Sequence, residues 1–333
     1  MLSLRNGIIS ARWICAKQLV YSEYGDPTKV LKLQTIELPD KPPAGHVHVK
    51  WLAAPINPAD LNTLQGVYPI KPPLPAVAGN EGYGRVEQVG EGVTAVRVGD
   101  HVLPAKAGQG IWRTDGHHKE NEVFPIDNEL PQEASATLQV NPPTAYRMLK
   151  DFVDLKPGDT IIQNGANSAV GKAVIQICRL RGIHSVNIVR KRDNLSDLVK
   201  ELKELGADEV ITEEQLAKEY RGKIKDVRLA LNCVGGKSTL FLAATLGFRG
   251  CMIPTGPLIF KDIRLAGYWM SRWYEQPGNT EERKRMYAEL GGWIKSEEFR
   301  TPSFEKRRLE EHAAAIEAAA VQFDKKQLFV MSE

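Results

Sequence analysis

Short runs of hydrophobic and polar residues, separated by glycine and proline, fill the first part of the chain. The runs 47–51, 84–89 and 101–103 have the composition and length of strands. Turn residues recur between these runs at short intervals. The segment from Lys17 to about Asn141 is therefore predicted to be an all-β unit, in the form of a small barrel.

The pattern changes near Pro142, where helix-like and strand-like segments begin to alternate. Tyr146, Leu149 and Val153 fall on one face of a predicted helix. Further along, the pattern predicts strands at 160–163, 186–189, 209–211, 229–232 and 250–253, and helices at 170–178 and 195–205. This alternation is typical of right-handed βαβ units and a parallel sheet, so the fold class is predicted as α/β.

The residue pattern at the end of the chain predicts that the chain returns to the first domain. Residues from about Glu275 are helical in pattern and charged, and the segment 327–330 is strand-like. The predicted organisation has a β domain of residues 17–142 and 275–333 and a doubly wound α/β domain of residues 143–274. At 333 residues the chain is long enough for two cores of ordinary size.

The composition and charge of the chain exclude several classes of protein. The hydrophobic fraction of 42% and charged fraction of 26% are typical of a globular protein. No stretch reaches the roughly 20 apolar residues that span a bilayer. The net charge of +3 does not favour nucleic-acid binding. The four cysteines are far apart and include no Cys-x-x-Cys pair, which indicates a reducing compartment and excludes a cysteine-rich zinc site.

The N-terminus has the composition of a mitochondrial transit peptide. Arg5, Arg12 and Lys17 lie among apolar residues, and no acidic residue precedes Glu23. Residues 1–16 are therefore predicted to be a targeting segment for the mitochondrial matrix. The alternative is an N-terminus without targeting meaning.

The loop after the first strand of the α/β segment predicts a pyrophosphate site. It reads Asn164-Gly165-Ala166-Asn167-Ser168-Ala169-Val170-Gly171, with alanine and serine where the usual fingerprint has its first two glycines. A turn of small residues between a strand and a helix can place a phosphate at the helix N-terminus. Small residues here can also serve packing alone.

The next strand ends in a basic run that favours NADPH. An acidic residue at this place usually binds the ribose of a cofactor without the 2′-phosphate. Here the strand is followed by Arg190, Lys191 and Arg192, whose charges attract a phosphate. A solvated basic run is the alternative interpretation.

Several motifs resemble those of the medium-chain dehydrogenases and reductases. Gly79-Asn80-Glu81-Gly82-Tyr83-Gly84 resembles their Gly-His-Glu signature, whose histidine binds zinc in the metal-dependent branch. Asn80 stands at that position, and a neutral amide is a poor zinc ligand, so the resemblance is to the zinc-free branch. Within it, the chain is similar to the mitochondrial trans-2-enoyl-thioester reductases. The matching segments are 57–62, 65–69, 110–114, 141–146 and 231–236.

The resemblance implies a GroES-like catalytic domain, a Rossmann-type domain and a reduction of trans-2-enoyl thioesters by NADPH in fatty-acid synthesis. Hydride would reach the β-carbon, and Tyr68 would supply the proton at the α-carbon. A phenol with a pKa of about 10 suits this role, because it stays protonated at neutral pH and can protonate a basic enolate. The implied cofactor-binding residues are Asn141, Asn167, Ser168, Ala169, Val170, Arg190, Lys191, Arg192, Tyr268, Trp269, Met270, Ser271 and Lys326. Tyr268 and Trp269 can equally be core or interface aromatics.

The chain departs from this family's pattern after Met252. Ile253-Pro254-Thr255-Gly256 joins two segments between which the family has a strand end and a turn beside the nicotinamide. A shortened form of the reductase is the hypothesis that this gap suggests, and such a form could bind NADPH weakly or serve only as a binding subunit. The other alternative is an NADPH-dependent quinone or enal reductase of the same branch.

The expected partners follow from the resemblance and from charge. The family implies a homodimer and an acyl-carrier protein or coenzyme A carrying the substrate. The basic runs 283–285 and 306–308 are candidate docking surfaces for acidic acyl-carrier protein or for RNA. A solvated helix face is the usual interpretation of such runs, and neither a membrane nor nucleic acid is an expected partner.

Overall fold

The computed structural model describes residues 12–220, 224, 226–245, 258–259, 262–322 and 325–331. Contacts divide the chain into two compact units. The first comprises residues 1–139 and 301–333, and the second comprises residues 140–300.

The first unit is built mainly of strands. Its strands are β1 Trp13–Tyr21, β2 Lys32–Pro39, β3 His46–Pro55, β4 Ala76–Val77, β5 Tyr83–Val89, β6 His101–Pro104, β7 Asp115–Lys119, β8 Val123–Ile126, β13 Phe304–Arg307 and β14 Lys326–Val330. Its helices are α1 Pro27–Val30, α2 Pro58–Leu64, α3 Gln132–Thr137 and α11 His312–Val321, with single 3₁₀ turns at Glu120–Glu122 and Leu309–Glu311. The strands predicted at 47–51, 84–89 and 101–103 are confirmed.

Two sheets organise these strands. One has the order β13-β14-β3-β5-β6-β8, with β7 also paired to β3, and the other has the order β2-β1-β4. Strand β14 pairs antiparallel with β3, which confirms that the tail returns to the first unit. The core contains Trp51, Trp112 and Phe329, all fully buried, and the rings of the last two meet edge to face at 5.2 Å.

The second unit contains a parallel sheet. Its elements are α4 Asn141–Met148, β9 Thr160–Gln163, α5 Ala169–Arg181, β10 His184–Val189, α6 Leu195–Glu204, β11 Glu209–Thr212, α7 Glu213–Lys218, β12 Val227–Leu231, α8 Lys237–Thr245, α9 Met270–Tyr274 and α10 Thr280–Lys295, with a 3₁₀ turn at Pro277–Asn279. The four described strands are all parallel and have the order β11-β10-β9-β12.

Both faces of this sheet carry a core because side chains alternate along each strand. Val186 and Ile188 of β10 pack with Ile162 and Ile211 in one cluster, whereas Val189 packs with residues of α5 and α6 in another. A sheet buried on both faces explains the nearly continuous apolar runs from which its strands were predicted.

Two expectations differ from the structure in their bounds, and two others fall outside the described residues. Strand β1 begins at Trp13 and pairs with β2, so residues 13–16 of the predicted transit peptide are part of the fold, while residues 1–11 lie outside the described residues. Helix α4 ends at Met148, so Val153 does not share its face. The strand predicted at 250–253 and the shortening after Met252 also lie outside the described residues.

The segment from 275 to 300 belongs to the second unit, whereas the sequence assigned it to the catalytic domain. Its helix α10 is tied to α4 by polar side chains. Tyr146 donates a hydrogen bond to Glu289 at 2.5 Å, and Arg147 forms an ion pair with Glu282 at 2.7 Å. The chain therefore returns to the first unit at Thr301.

Candidate functional site

The small-residue loop lies between β9 and α5, as the sequence predicts. Ser168 is the N-cap of α5, and its Oγ accepts a hydrogen bond from the Gly171 backbone N–H at 3.0 Å. A Cβ atom at Gly171 would lie 2.6 Å from the Ala166 carbonyl oxygen, so only glycine permits this close approach of helix and loop. Asn167, Ala169 and Val170 are half-buried beside the exposed Ser168. A helix N-terminus of this form suits an anion.

The basic run follows β10, whose C-terminal end adjoins that of β9 in the parallel sheet. Arg190 and Lys191 are exposed, and Arg192 is half-buried. The Arg192 Nε is buried and has no hydrogen-bond partner among the residues that the structure describes. A buried guanidinium donor without an acceptor is unfavourable, and a phosphate oxygen is an acceptor that it suits.

Asn141 is the first residue of α4. Its Nδ2 is buried and, among the described residues, has no hydrogen-bond acceptor. A buried amide N–H without an acceptor can donate to a carboxamide oxygen, such as the one that a nicotinamide carries.

The four residues of the segment 268–271 differ in burial. The Tyr268 ring packs edge to face on Phe152, with centroids 6.0 Å apart, and its hydroxyl contacts the Met270 sulfur at 2.8 Å. Burial raises the pKa of Tyr268 well above its ordinary value. Met270 is buried, Trp269 is 38% exposed and Ser271 is half-buried. The structure therefore favours a packing role for Tyr268 and Met270.

Tyr68 lies in the loop that follows α2 in the first unit. The backbone N–H groups of Val67 and Tyr68 both donate to the Asn62 carbonyl, at 3.0 and 3.2 Å. Gly66 has a positive φ of 75° and lies against the Tyr24 ring, so no side chain would fit there. Tyr68 is half-buried, and Val67 before it is 72% exposed. The loop thus has a backbone held by hydrogen bonds and carries a half-buried phenol.

Helix α2, which carries this loop, is anchored by a buried carboxylate. Asp60 accepts hydrogen bonds from the Asn57 backbone and from both the backbone and side chain of Asn80, at 2.8 to 2.9 Å. Burial raises the pKa of Asp60 to about 6, although these hydrogen bonds and the charge of Lys326 lower it. Asn80 thus serves as a structural hydrogen-bond partner at the position where the zinc branch has its histidine.

Lys326 joins the same polar cluster from β14. Its Nζ donates to the Asn57 Oδ1 at 2.6 Å, and the Asn57 Nδ2 donates to Glu81 at 2.6 Å. Burial lowers the pKa of Lys326, and the charges of Glu81 and Asp60 oppose this shift. In this structure its ammonium group is bound within the first unit.

Asn57, Asp60 and Glu81 lie in segments that carry the family resemblance, but the sequence pattern predicts no role for them. The run Asn57-Pro58-Ala59-Asp60 carries the N-cap, N1 proline and N3 acid of a helix start, which is a readable signal. No feature of the sequence links Asp60 to Asn80. Among the described residues, no group of three or more histidine, cysteine or acidic side chains could hold a metal ion.

The structure places the phosphate loop and the basic run after adjacent strands of the second unit. Asn141 and the segment 268–271 belong to the same unit. Tyr68 and Lys326 belong to the first unit. No helix of the described residues has the length and hydropathy of a membrane span.

Comparison with known proteins identifies the family. Residues 43–126 match the alcohol dehydrogenase GroES-like domain. The chain is 58% identical, over 99% of both sequences, to a mitochondrial enoyl-(acyl-carrier-protein) reductase of Caenorhabditis elegans. It is 44% identical to that of Bos taurus, over 95% of this chain and 88% of the relative. The chain belongs to the mitochondrial enoyl-(acyl-carrier-protein) reductase family.

Solved structures support the same assignment of family and fold. A complex of Etr1p with NADP and crotonyl-CoA is 32% identical, with a TM-score of 0.85 over 95% of this chain and all of that one. The Etr1p/Etr2p heterodimer from Candida tropicalis, a mitochondrial 2-enoyl thioester reductase, gives the same values. A quinone reductase of Bacillus thuringiensis, 22% identical with a TM-score of 0.81, shows the fold alone. The predicted fold class, a GroES-like domain with an α/β dinucleotide-binding domain, is confirmed.

The alignment with the Caenorhabditis relative runs over 343 positions, ten more than this chain has residues. Some positions of that relative therefore have no counterpart in this chain.

Proposed function

We propose that this chain is a mitochondrial reductase that uses NADPH to convert trans-2-enoyl thioesters into saturated acyl thioesters. The observation that carries the proposal is the 58% identity, over almost the full length, to a mitochondrial enoyl-(acyl-carrier-protein) reductase. The related Etr1p has been crystallised with NADP and crotonyl-CoA, which supports both the cofactor and the thioester substrate.

The second unit has the groups that NADPH requires. The N-terminus of α5, with Asn167, Ser168, Ala169 and Val170, receives the pyrophosphate. The Nε of Arg192, which has no partner within the described part of the chain, would hold the 2′-phosphate together with Arg190 and Lys191. The buried Nδ2 of Asn141 orients the nicotinamide carboxamide. When bound, NADPH supplies the hydride that adds to the β-carbon.

Tyr68 holds the proton that completes the reduction. Hydride addition leaves negative charge on the thioester oxygen and the α-carbon, and the α-carbon must then be protonated. A half-buried phenol on a fixed backbone can give its proton there and regain one from water. The buried cluster of Asp60, Asn57 and Lys326 keeps α2 in place beneath the loop that carries the phenol.

The carrier and the assembly are further parts of the proposal. Acyl-carrier protein and coenzyme A both present the enoyl group as a thioester, and the name of the family favours the former. A homodimer is proposed because the related Etr1p assembles with Etr2p as a heterodimer.

The test is NADPH oxidation by the purified chain with trans-2-hexenoyl-coenzyme A. In Tyr68→Phe we expect kcat to fall by about 10²- to 10⁴-fold, the usual contribution of a general acid, with NADPH affinity unchanged. Tyr24→Phe is the matched control, since Tyr24 contacts Gly66 of the same loop but has no chemical role here. Equal rates in wild type and Tyr68→Phe would contradict the assignment of the proton donor.

One observation supports a second candidate. Because the chain lacks positions that its Caenorhabditis relative has, it can be a shortened subunit that binds partners without turnover. Absence of turnover in a folded wild-type chain that still associates with a full-length relative would favour this function. Turnover is also measured with a panel of enoyl thioesters, quinones and free enals. A chain that reduces quinones or free enals but not enoyl thioesters would be a quinone or enal reductase and neither of the two candidates.

A further inference from the structure

The order of strands in the second unit marks one place for a dinucleotide. Along the chain, β9, β10 and β11 extend the sheet in one direction, and the chain then returns to place β12 on the other side of β9. The direction of the sheet therefore reverses between β9 and β12. In open α/β sheets the ligand lies outside the carboxyl ends of the strands at such a reversal.

Asn164 occupies the first position after β9 and bridges to the segment after β12. Its Oδ1 accepts hydrogen bonds from the backbone N–H groups of Cys233 and Val234, at 2.8 and 3.3 Å. Its Nδ2 donates to the Asn232 Oδ1 at 2.6 Å, and lies 3.2 Å from both the Val234 carbonyl and the Ser238 Oγ. Asn164 is 1% exposed.

The segment that Asn164 binds has no regular structure of its own. Residues 232–235 form neither helix nor strand, and most of them are exposed. Two of their backbone N–H groups are satisfied by the single buried amide of Asn164, which also lies 3.2 Å from the Val234 carbonyl. That carbonyl accepts a second hydrogen bond from the Thr239 Oγ1 at 2.6 Å. Thr239 restrains this segment from α8, whereas the Asn164 amide joins it to the phosphate loop and so sets its position relative to that loop.

Asparagine is the residue type that this geometry requires. The side chain must accept two hydrogen bonds at one end and donate at the other, within one short stem. Aspartate has the same shape but cannot donate, and it would place a charge beside the Asn232 and Val234 oxygens. Gly165, the next residue, has a positive φ of 60° and lies against the Cys233 sulfur, so the two loops also touch directly.

We propose that Asn164 is a positioning residue for the cofactor, which fixes the loop after β12 against the phosphate loop and so forms the two walls of the NADPH crevice. The inference rests on the proposed function, because it concerns the binding of the same cofactor. Asn164 acts through the backbone of the two loops and does not itself react.

The experiment measures the NADPH dissociation constant by fluorescence titration, independently of turnover. We expect Asn164→Ala and Asn164→Asp to raise it at least tenfold, with a smaller increase in Asn232→Ala, which removes the exposed partner and does not threaten folding. KM for the enoyl thioester at saturating NADPH is expected to stay within twofold of wild type. In the double variant Asn164→Ala/Asn232→Ala the two effects are expected to be less than additive, because they remove the same contact.

Gln176→Ala is the matched control for general destabilisation. Gln176 is also a buried amide of this unit, but its side chain binds the backbone of Arg300, away from both loops. It is expected to lower the melting temperature without changing NADPH affinity. Equal weakening by Gln176→Ala, or wild-type affinity in Asn164→Ala and Asn232→Ala, would overturn the positioning role. If wild type itself binds no NADPH, the proposed function fails and the inference fails with it.

Discussion

At the scale of single residues, the burial of His118 predicts that the stability of the first unit depends on pH. Its ring is 5% exposed and its Nε2 accepts a hydrogen bond from the Trp51 indole at 3.2 Å. Burial, with smaller effects of Arg113 and the neighbouring histidines, lowers the pKa of His118 to about 3. In the unfolded chain the same ring has a pKa of 6.5. Below that value the unfolded state binds the extra proton.

We therefore expect the free energy of unfolding to fall as pH decreases from 6.5 towards 3, by about 1 kcal/mol per pH unit. Urea unfolding of wild type and His118→Gln at pH 7.5, 6 and 5 measures this, because glutamine can still accept from Trp51 but does not titrate. The difference between the two proteins should shrink or reverse with decreasing pH. Parallel curves for wild type and variant would show that His118 does not control the acid transition.

The role of a residue was predictable from the sequence where the residues that indicate this role are its neighbours along the chain. Arg190, Lys191 and Arg192 stand directly after a readable strand, so their position was predicted from the pattern. Asn164 was not recognised as a positioning residue, because its partner Cys233 lies 69 residues away and only the sheet brings them together.

Arg283 shows a further limit of the sequence pattern. It was grouped with Lys284 and Arg285 on a basic helix face, but it is 5% exposed, and its guanidinium stacks on the Tyr274 ring at 4.2 Å. Lys284 and Arg285 pair with acidic residues of their own helix. The first member of this run therefore stabilises the fold and cannot serve as a docking residue.

At the scale of elements, the contact between α5 and the preceding loop depends on Gly171. A Cβ at this position would meet backbone atoms of Ala166 at 2.6 to 2.7 Å, and backbone cannot move aside cheaply. We expect Gly171→Ala to shift the phosphate loop, raise the NADPH dissociation constant about tenfold and lower stability by about 1–3 kcal/mol.

Gly292→Ala is the control for this change. Gly292 lies inside α10 with nothing within 4 Å of a Cβ, so alanine should stabilise this helix by up to about 1 kcal/mol and leave NADPH affinity unchanged. Titration with NADPH and thermal unfolding of both variants provide the measurements. Wild-type affinity in Gly171→Ala would show that the loop adapts to the added methyl group.

Helices and strands were predictable where the spacing of apolar residues agrees with the residues that start and stop the element. Helix α5 has apolar residues at helical spacing, a serine N-cap and Gly182 in the left-handed conformation at its end, so it was placed within a few residues. Helix α4 has no comparable stop signal, and the predicted face extended past its true end at Met148.

At the scale of the whole molecule, the sequence indicated two domains and the return of the tail, because the alternation of strands and helices changes sharply near Pro142. It misplaced the point of return. Helix α10 carries no local signal for either domain, but its contacts with Tyr146 and Arg147 assign it to the second unit. Such contacts across 135 or more residues leave no local pattern.

The length difference from the Caenorhabditis relative leads to the last prediction. The family resemblance predicts that the missing positions follow Met252, which lies outside the described residues, and that they border the nicotinamide. If these positions border the nicotinamide, inserting the relative's segment between Met252 and Ile253 should lower the NADPH dissociation constant and raise kcat with trans-2-hexenoyl-coenzyme A. An insertion of equal length made of glycine and serine is the control, since it restores the spacing without the side chains. Equal gains from both insertions would mean that spacing alone matters. No gain from either, in a chain that binds NADPH and turns over without an insertion, would show that the cofactor site does not need the segment.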